Sequence, residues 1–106
     1  MKILYVITLP QIGGAQVHLL TLVTELLKRE HEAAVVVGAA GWLTEQLEER
    51  GIQCVVLPTL RREIAPACDF AAFRRLRRII KEYQPNLVHC HSSKAGLLGR
   101  FAAWSL

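Results

Sequence analysis

The apolar positions of the chain switch repeatedly between two spacings. Residues 2–8 form a short β-branched and aromatic run that stops at Leu9-Pro10, where proline has no N–H to give to a ladder, and they predict a first strand. After Gly13-Gly14, the residues Ala15, Leu19, Leu22, Val23 and Leu26 recur at the spacing of one helix face. Gln16, Thr24, Glu25 and Lys28 fall on the other side, so a first helix is predicted to about Arg29. Residues 33–37 are apolar without a break and end at Gly38, the pattern of a strand covered on both faces, as in parallel sheets. Leu43 and Leu47 predict a short second helix that Gly51 ends.

Residues 52–57, closed by Pro58, predict a third strand. The loop after it contains Arg61, Arg62 and Pro66 and is about eleven residues long, a length that goes with function or mobility. Asp69 is placed to cap a third helix, with Phe73, Leu76, Ile80 and Tyr83 as its apolar stripe and Arg74, Arg75, Arg77, Arg78 and Lys81 facing elsewhere. Gln84-Pro85 ends it. Residues 87–91 predict a fourth strand and residues 95–104 a fourth helix. Strict βα alternation with short connections suits right-handed crossovers. The predicted class is α/β: a Rossmann-like parallel sheet in the order 3-2-1-4 with helices on both faces, formed by one domain over residues 1–106.

Composition narrows the picture. A chain of 106 residues has room for one core. With 52% hydrophobic and 21% charged residues it can offset the entropy of ordering. No apolar run approaches the roughly 18 residues that span a bilayer, and the opening residues lack the length and cleavage site of a signal peptide, which points to the cytoplasm. Cys54, Cys68 and Cys90 form an odd set with no CxxC pair, so reduced, mostly buried thiols are expected. Residues 1–52 carry four Lys/Arg against six Asp/Glu, whereas residues 53–106 carry nine against three. A basic half of this kind fits either an anionic partner or a solvated face.

In an open parallel sheet, ligands bind beyond the carboxyl ends of the strands where the strand order reverses. With the order 3-2-1-4, that crevice lies between strands one and four. Two segments meet there, residues 9–14 and residues 89–94. Gly13 and Gly14 would let a ligand approach the backbone while a helix N-terminus favours an anionic group, but a tight strand-to-helix turn would use the same residues. The segment is neither GxGxxG nor GxxxxGK[ST], so a dinucleotide cofactor and NTP hydrolysis lose ground. His89 and His91 share one face of the fourth strand and Cys90 takes the other. A two-histidine metal site would lack a third ligand at a diagnostic spacing, so no metal is expected. His91, at the mouth, can hydrogen-bond a sugar hydroxyl. Ser92, Ser93 and Lys94 add hydroxyls and a charge beside the next helix, or serve simply as its caps. His89 reads as a buried, hydrogen-bonded core residue, and His18 and His31 as surface or packing residues. The arginine-rich third helix lacks interleaved aromatics, so lipid headgroups suit it better than nucleic acid.

The opening ILYVIT strand, the Gly13-Gly14-Ala15-Gln16 loop before a leucine-rich helix, the R-G-I entry to the third strand and Pro85-Asn86-Leu87-Val88-His89-Cys90-His91-Ser92 resemble, in that order, the amino-terminal domain of the retaining, GT-B-fold glycosyltransferases of family 4, also called group 1. The resemblance covers the whole chain. It implies that Gly13 and Gly14 line the interdomain cleft near donor phosphate and acceptor, and that Gln16 matches the Glu or Gln usual after Gly-Gly-Ala. It also implies that His91 contacts the donor sugar as the catalytic-site histidine, with Ser92, Ser93 and Lys94 beside it.

The resemblance further implies a nucleotide-sugar donor, retention of configuration, no cofactor and no bound divalent metal. Work at the cytoplasmic membrane face on lipid-linked or polysaccharide acceptors follows from it. Full members continue into a second Rossmann-like domain with an E-x7-E segment and an Arg/Lys pair that grips the diphosphate, and none of these is present here. The expectation is therefore a glycosyltransferase segment that is inactive alone and self-associates through its fourth strand or helix. The alternative is a non-catalytic, flavodoxin-like nucleotide-binding or interaction module.

Overall fold

The computed structural model describes residues 1–8, 13–60 and 66–90, without the side chains of Pro66 and Cys68. Its elements are β1 (Lys2–Ile7), α1 (Gly14–Lys28), β2 (Glu32–Val37), α2 (Trp42–Glu49), β3 (Gln53–Val56), α3 (Pro66–Tyr83) and β4 (Leu87–Cys90). The strands form one sheet in the order β3-β2-β1-β4 with every pairing parallel. This is the order and direction expected from the alternation of spacings. The fourth helix expected over residues 95–104 lies outside the described residues.

The central strands are buried on both faces, which is why their sequences read as unbroken apolar runs. Ile3, Tyr5 and Ile7, with Ala33, Val35 and Val37, pack against Leu19, Leu20 and Val23 of α1 and Leu43 and Leu47 of α2. Leu4, Val6, Ala34 and Val36 pack on the opposite face against Ala72, Leu76 and Ile80 of α3. Each Val, Leu or Ile among them contributes about 1.5–3 kcal/mol when fully buried. Helices therefore cover both faces, two on one side and α3 on the other. The buried stripe of α1 differs from the expected one at two positions. Ala15 is exposed and Leu20 is buried, because the helix contacts the sheet from its second turn onward.

Helix ends are set by backbone chemistry. α2 stops in a Schellman arrangement: Gly51 N–H donates to the Glu48 carbonyl at 3.0 Å and Ile52 N–H to that of Leu47 at 2.9 Å. Gly51 holds φ +68°, a region glycine enters without penalty, and Ile52 and Leu47 meet in the core. α1 ends in the same pattern, with Glu30 at φ 66° in the glycine position. α3 begins at Pro66, not at Asp69 as its capping role required. Proline suits a first helical position because the N–H it lacks would find no partner inside the helix, and Asp69 then falls in the first turn, where its charge favours the helix dipole.

Candidate functional site

The order β3-β2-β1-β4 places the reversal between β1 and β4, where Val6 pairs with Cys90 at the carboxyl end of the ladder. Chain direction brings three connections to this edge. The first turn of α1 enters it after β1, Gly38 follows β2, and residues 57–60 follow β3. Gly38 N–H donates to the Thr8 carbonyl at 3.1 Å and Leu57 N–H to that of Val37 at 2.7 Å, so the floor of the edge is cross-linked backbone. Thr8 itself is buried.

Gly13 is extended, at φ −174° and ψ 174°, a conformation open to any residue. What crowds it is Gln16: a Cβ on Gly13 would stand 2.8 Å from Gln16 Oε1, the far end of a flexible side chain. A Cβ on Gly14 would meet nothing within 4 Å. Neither glycine is therefore demanded by left-handed backbone or by packing against fixed atoms. Gly13 offers α1 no side-chain cap, and no acidic residue stands in the first turn. The positive end of the helix dipole is left uncompensated by acid at the spot where Gly14 leaves open space. The structure thus brings Gly13, Gly14 and Gln16 together on one turn. His91, Ser92, Ser93 and Lys94 lie outside the described residues.

His89 corrects the expectation of a buried core histidine. Its ring is exposed and stacks on the buried Tyr5 of the neighbouring strand, centroids 5.4 Å apart and planes 25° from parallel. Among the described residues β4 is the outer strand of the sheet, and the imidazole stands in solvent. As the alternation required, Cys90 turns to the opposite face, against the α3 cluster. Burial pushes the Tyr5 phenol up from its ordinary value. Among the described residues, no group of three or more His, Cys, Asp or Glu could hold a metal ion. Cys54 and Cys90 are half-buried.

Gly38 was read from sequence only as the end of a strand, yet it is closely confined at this edge. A Cβ there would overlap the carbonyl oxygens of both Thr8 and Leu60. The available signal was its position, a glycine directly at the carboxyl end of a wholly buried strand.

The opposite, amino edge is built differently. Lys2 N–H donates to Asn86 Oδ1 at 2.8 Å, Asn86 N–H returns a bond to the Lys2 carbonyl at 2.7 Å, and Lys2 Nζ donates to the Tyr83 carbonyl at 3.0 Å. An open depression of about 400 Å³ lies here, lined by Lys2, Glu32, Gln53 and Tyr83 among others. It stands at the end of the strands where parallel sheets do not place ligands, and these bonds serve to anchor the α3–β4 turn.

A family model described as Glycosyltransferase Family 4 matches residues 12–106. The UDP-Gal:alpha-D-GlcNAc-diphosphoundecaprenol alpha-1,3-galactosyltransferase of Escherichia coli is 31% identical over 102 residues, which cover 96% of this chain and 26% of that protein. Among solved structures, a glycosyltransferase from Rickettsia africae ESF-5 superposes with a TM-score of 0.79 at 19% identity, over 94% of this chain and 26% of that one. Anabaena Alr3699/HepE, solved with UDP-glucose, gives 0.72 at 24% identity, over 98% of this chain and 26% of that one. The chain thus spans about a quarter of the length of the relatives it matches.

Proposed function

Because the chain belongs to glycosyltransferase family 4, we propose that it forms the amino-terminal Rossmann-like part of an enzyme that moves a sugar from a nucleotide-sugar donor to a lipid-linked or polysaccharide acceptor, with retention of configuration. The galactosyltransferase relative is named for a UDP-sugar donor and a diphosphoundecaprenol acceptor, and HepE was solved with UDP-glucose. Both names support a nucleotide-sugar donor here, and the first supports a lipid-linked acceptor, which we place at the cytoplasmic face of a membrane. No helix among the described residues is long and apolar enough to cross that membrane.

The observation that carries this reading is the Gly13–Gly14 turn. Two glycines that the fold does not require stand at an acid-free helix N-terminus beside the strand-order reversal. Such a turn admits a donor phosphate against backbone N–H groups, with the helix dipole favouring its charge. Gln16, folded over Gly13, would orient the same group or the acceptor. His91 would meet the donor sugar, and Ser92, Ser93 and Lys94 would flank it. The missing work is the grip on the diphosphate, for which these 106 residues hold no E-x7-E segment.

The test compares two polypeptides, the 106 residues alone and the same residues with the coding sequence that follows them in frame. Each is incubated with radiolabelled nucleotide sugars and a polyprenyl-diphosphate acceptor. Transfer by the longer polypeptide and none by the shorter is the expected result. Turnover by the 106 residues alone would show that the site is complete without a second domain. Nucleotide binding without transfer at either length would favour the non-catalytic module.

A further inference from the structure

We propose that α3 of this chain docks on α2 of a second copy, so that copies stack with their carboxyl edges aligned. Steps of four and three along α3 put Phe70, Arg74 and Arg77 in one exposed line, away from the residues that hold the helix to the sheet. Steps of three and four along α2 put Trp42, Glu45 and Glu49 in another, with both glutamates exposed and Trp42 half-buried. Each line opens on an aromatic ring and continues with two charges, basic on α3 and acidic on α2. The first and last members of each line are separated by the same number of residues, a rise of roughly 10.5 Å along either helix. Among the described residues, Arg74, Glu45 and Glu49 make no ion pair within the chain.

Topology makes the two lines a matched pair. α2 and α3 lie on opposite faces of the sheet, and both run from its carboxyl edge to its amino edge. Moving one copy across the sheet without rotation therefore lays its α3 along the α2 of the next copy, in the same direction. Phe70 would then meet Trp42, with Arg74 against Glu45 and Arg77 against Glu49. Phe70 is 63% exposed in the single chain, and the two rings would form the apolar centre of the contact. The charges fix its register, and they disfavour a two-fold pairing of α3 with α3, which would set arginine against arginine. Because the contact joins two different surfaces, every pair keeps an open α2 at one end and an open α3 at the other, so growth does not close. All candidate crevices in such a stack face the same way. The inference stands apart from the sugar-transfer reading, since neither donor nor acceptor takes part in it.

The experiment is sedimentation velocity on the 106-residue chain carrying Leu87→Lys, a change that opposes pairing through β4. Species that grow past the dimer with concentration are expected at low salt, and they should dissociate in about 1 M salt, where the Debye length is about 3 Å. Arg74→Ala with Arg77→Ala, and separately Glu45→Ala with Glu49→Ala, should each weaken association roughly tenfold, the loss of two exposed ion pairs. Alanine keeps helix propensity high at all four positions, and an unchanged far-ultraviolet circular dichroism spectrum checks that the variants fold. An equimolar mixture of the two double variants keeps one full contact, between the α2 of one and the α3 of the other. It should associate as tightly as the parent chain and stop at the pair. A monomer at every concentration, association indifferent to salt, undiminished association of the glutamate variant, or a mixture no tighter than its components would each overturn the proposal.

Discussion

Gly38 donates its amide to the carbonyl of Thr8, so the ends of the two central strands are stitched together at the carboxyl edge, on the β2 side of the candidate crevice. A side chain at residue 38 has nowhere to go, because the atoms it would strike are backbone carbonyls of Thr8 and Leu60 that cannot rotate aside. Gly38→Ala should cost roughly 1–3 kcal/mol. In thermal unfolding of a domain this size, each kcal/mol lowers Tm by about 4–8 °C. An unchanged melting temperature would show that the edge relaxes freely.

Gly14→Ala should separate the two readings of the glycine turn. The added methyl meets no atom within 4 Å, so stability should hold or rise by no more than ~1 kcal/mol. In a polypeptide competent for transfer, the same methyl should raise KM for the donor at least about tenfold, the equivalent of 1.4 kcal/mol of lost binding. A variant that melts lower and binds donor normally would return Gly14 to a structural role.

Glu30 is a non-glycine residue in left-handed backbone at the end of α1, where α2 has Gly51. Glu30→Gly should stabilise the chain by about 0.5–1 kcal/mol and Gly51→Ala should destabilise it by a similar amount. Chemical denaturation of the two variants checks both signs against one reference.

Burial first, and the Glu48 carboxylate second, push the Cys54 thiol up from 9.0 to about 11. The folded state thus holds the proton more tightly than the unfolded one. The associated stability is whole below pH 9.0 and is lost as the pH rises through about 11. At pH 8 iodoacetamide should modify Cys54 more slowly in the native chain than in urea, read peptide by peptide by mass spectrometry. Equal rates would remove the burial argument.

β4 is an edge strand among the described residues, and Leu87 is 50% exposed on it. Open ladder edges pair with other chains. Sedimentation of the 106-residue chain should therefore show concentration-dependent dimers or larger species, and Leu87→Lys should reduce them. A monomer at high concentration would refute this pairing.

The two-faced burial was legible from unbroken apolar runs, and the parallel direction and sheet order from strict βα alternation read as a Rossmann-like fold. Residues 33–37 have no polar position, so the strand they form must be covered twice, and α2 must stop where Gly51 can turn left-handed. What period does not encode is where a helix meets the sheet. Ala15 fits the apolar stripe of α1 and yet precedes its first contact, and Asp69 has the chemistry of a cap although Pro66 starts the helix earlier. His89 was misjudged for a related reason: alternation gives its face, but whether that face is covered depends on strand position in the sheet. At the candidate site the glycine turn was visible in the sequence. The freedom of Gly14 and the confinement of Gly38 were not, since both depend on atoms brought in by other strands.

The bonds between Lys2 and Asn86 join positions 84 residues apart. Seen from the ribosome, β1 emerges first and receives its second neighbour last. At roughly 5–20 residues per second, several seconds of synthesis separate the two. Throughout that interval β1 can pair with β2 on one side while its other ladder stays open, so the strand that ends at the centre of the sheet begins life as an edge.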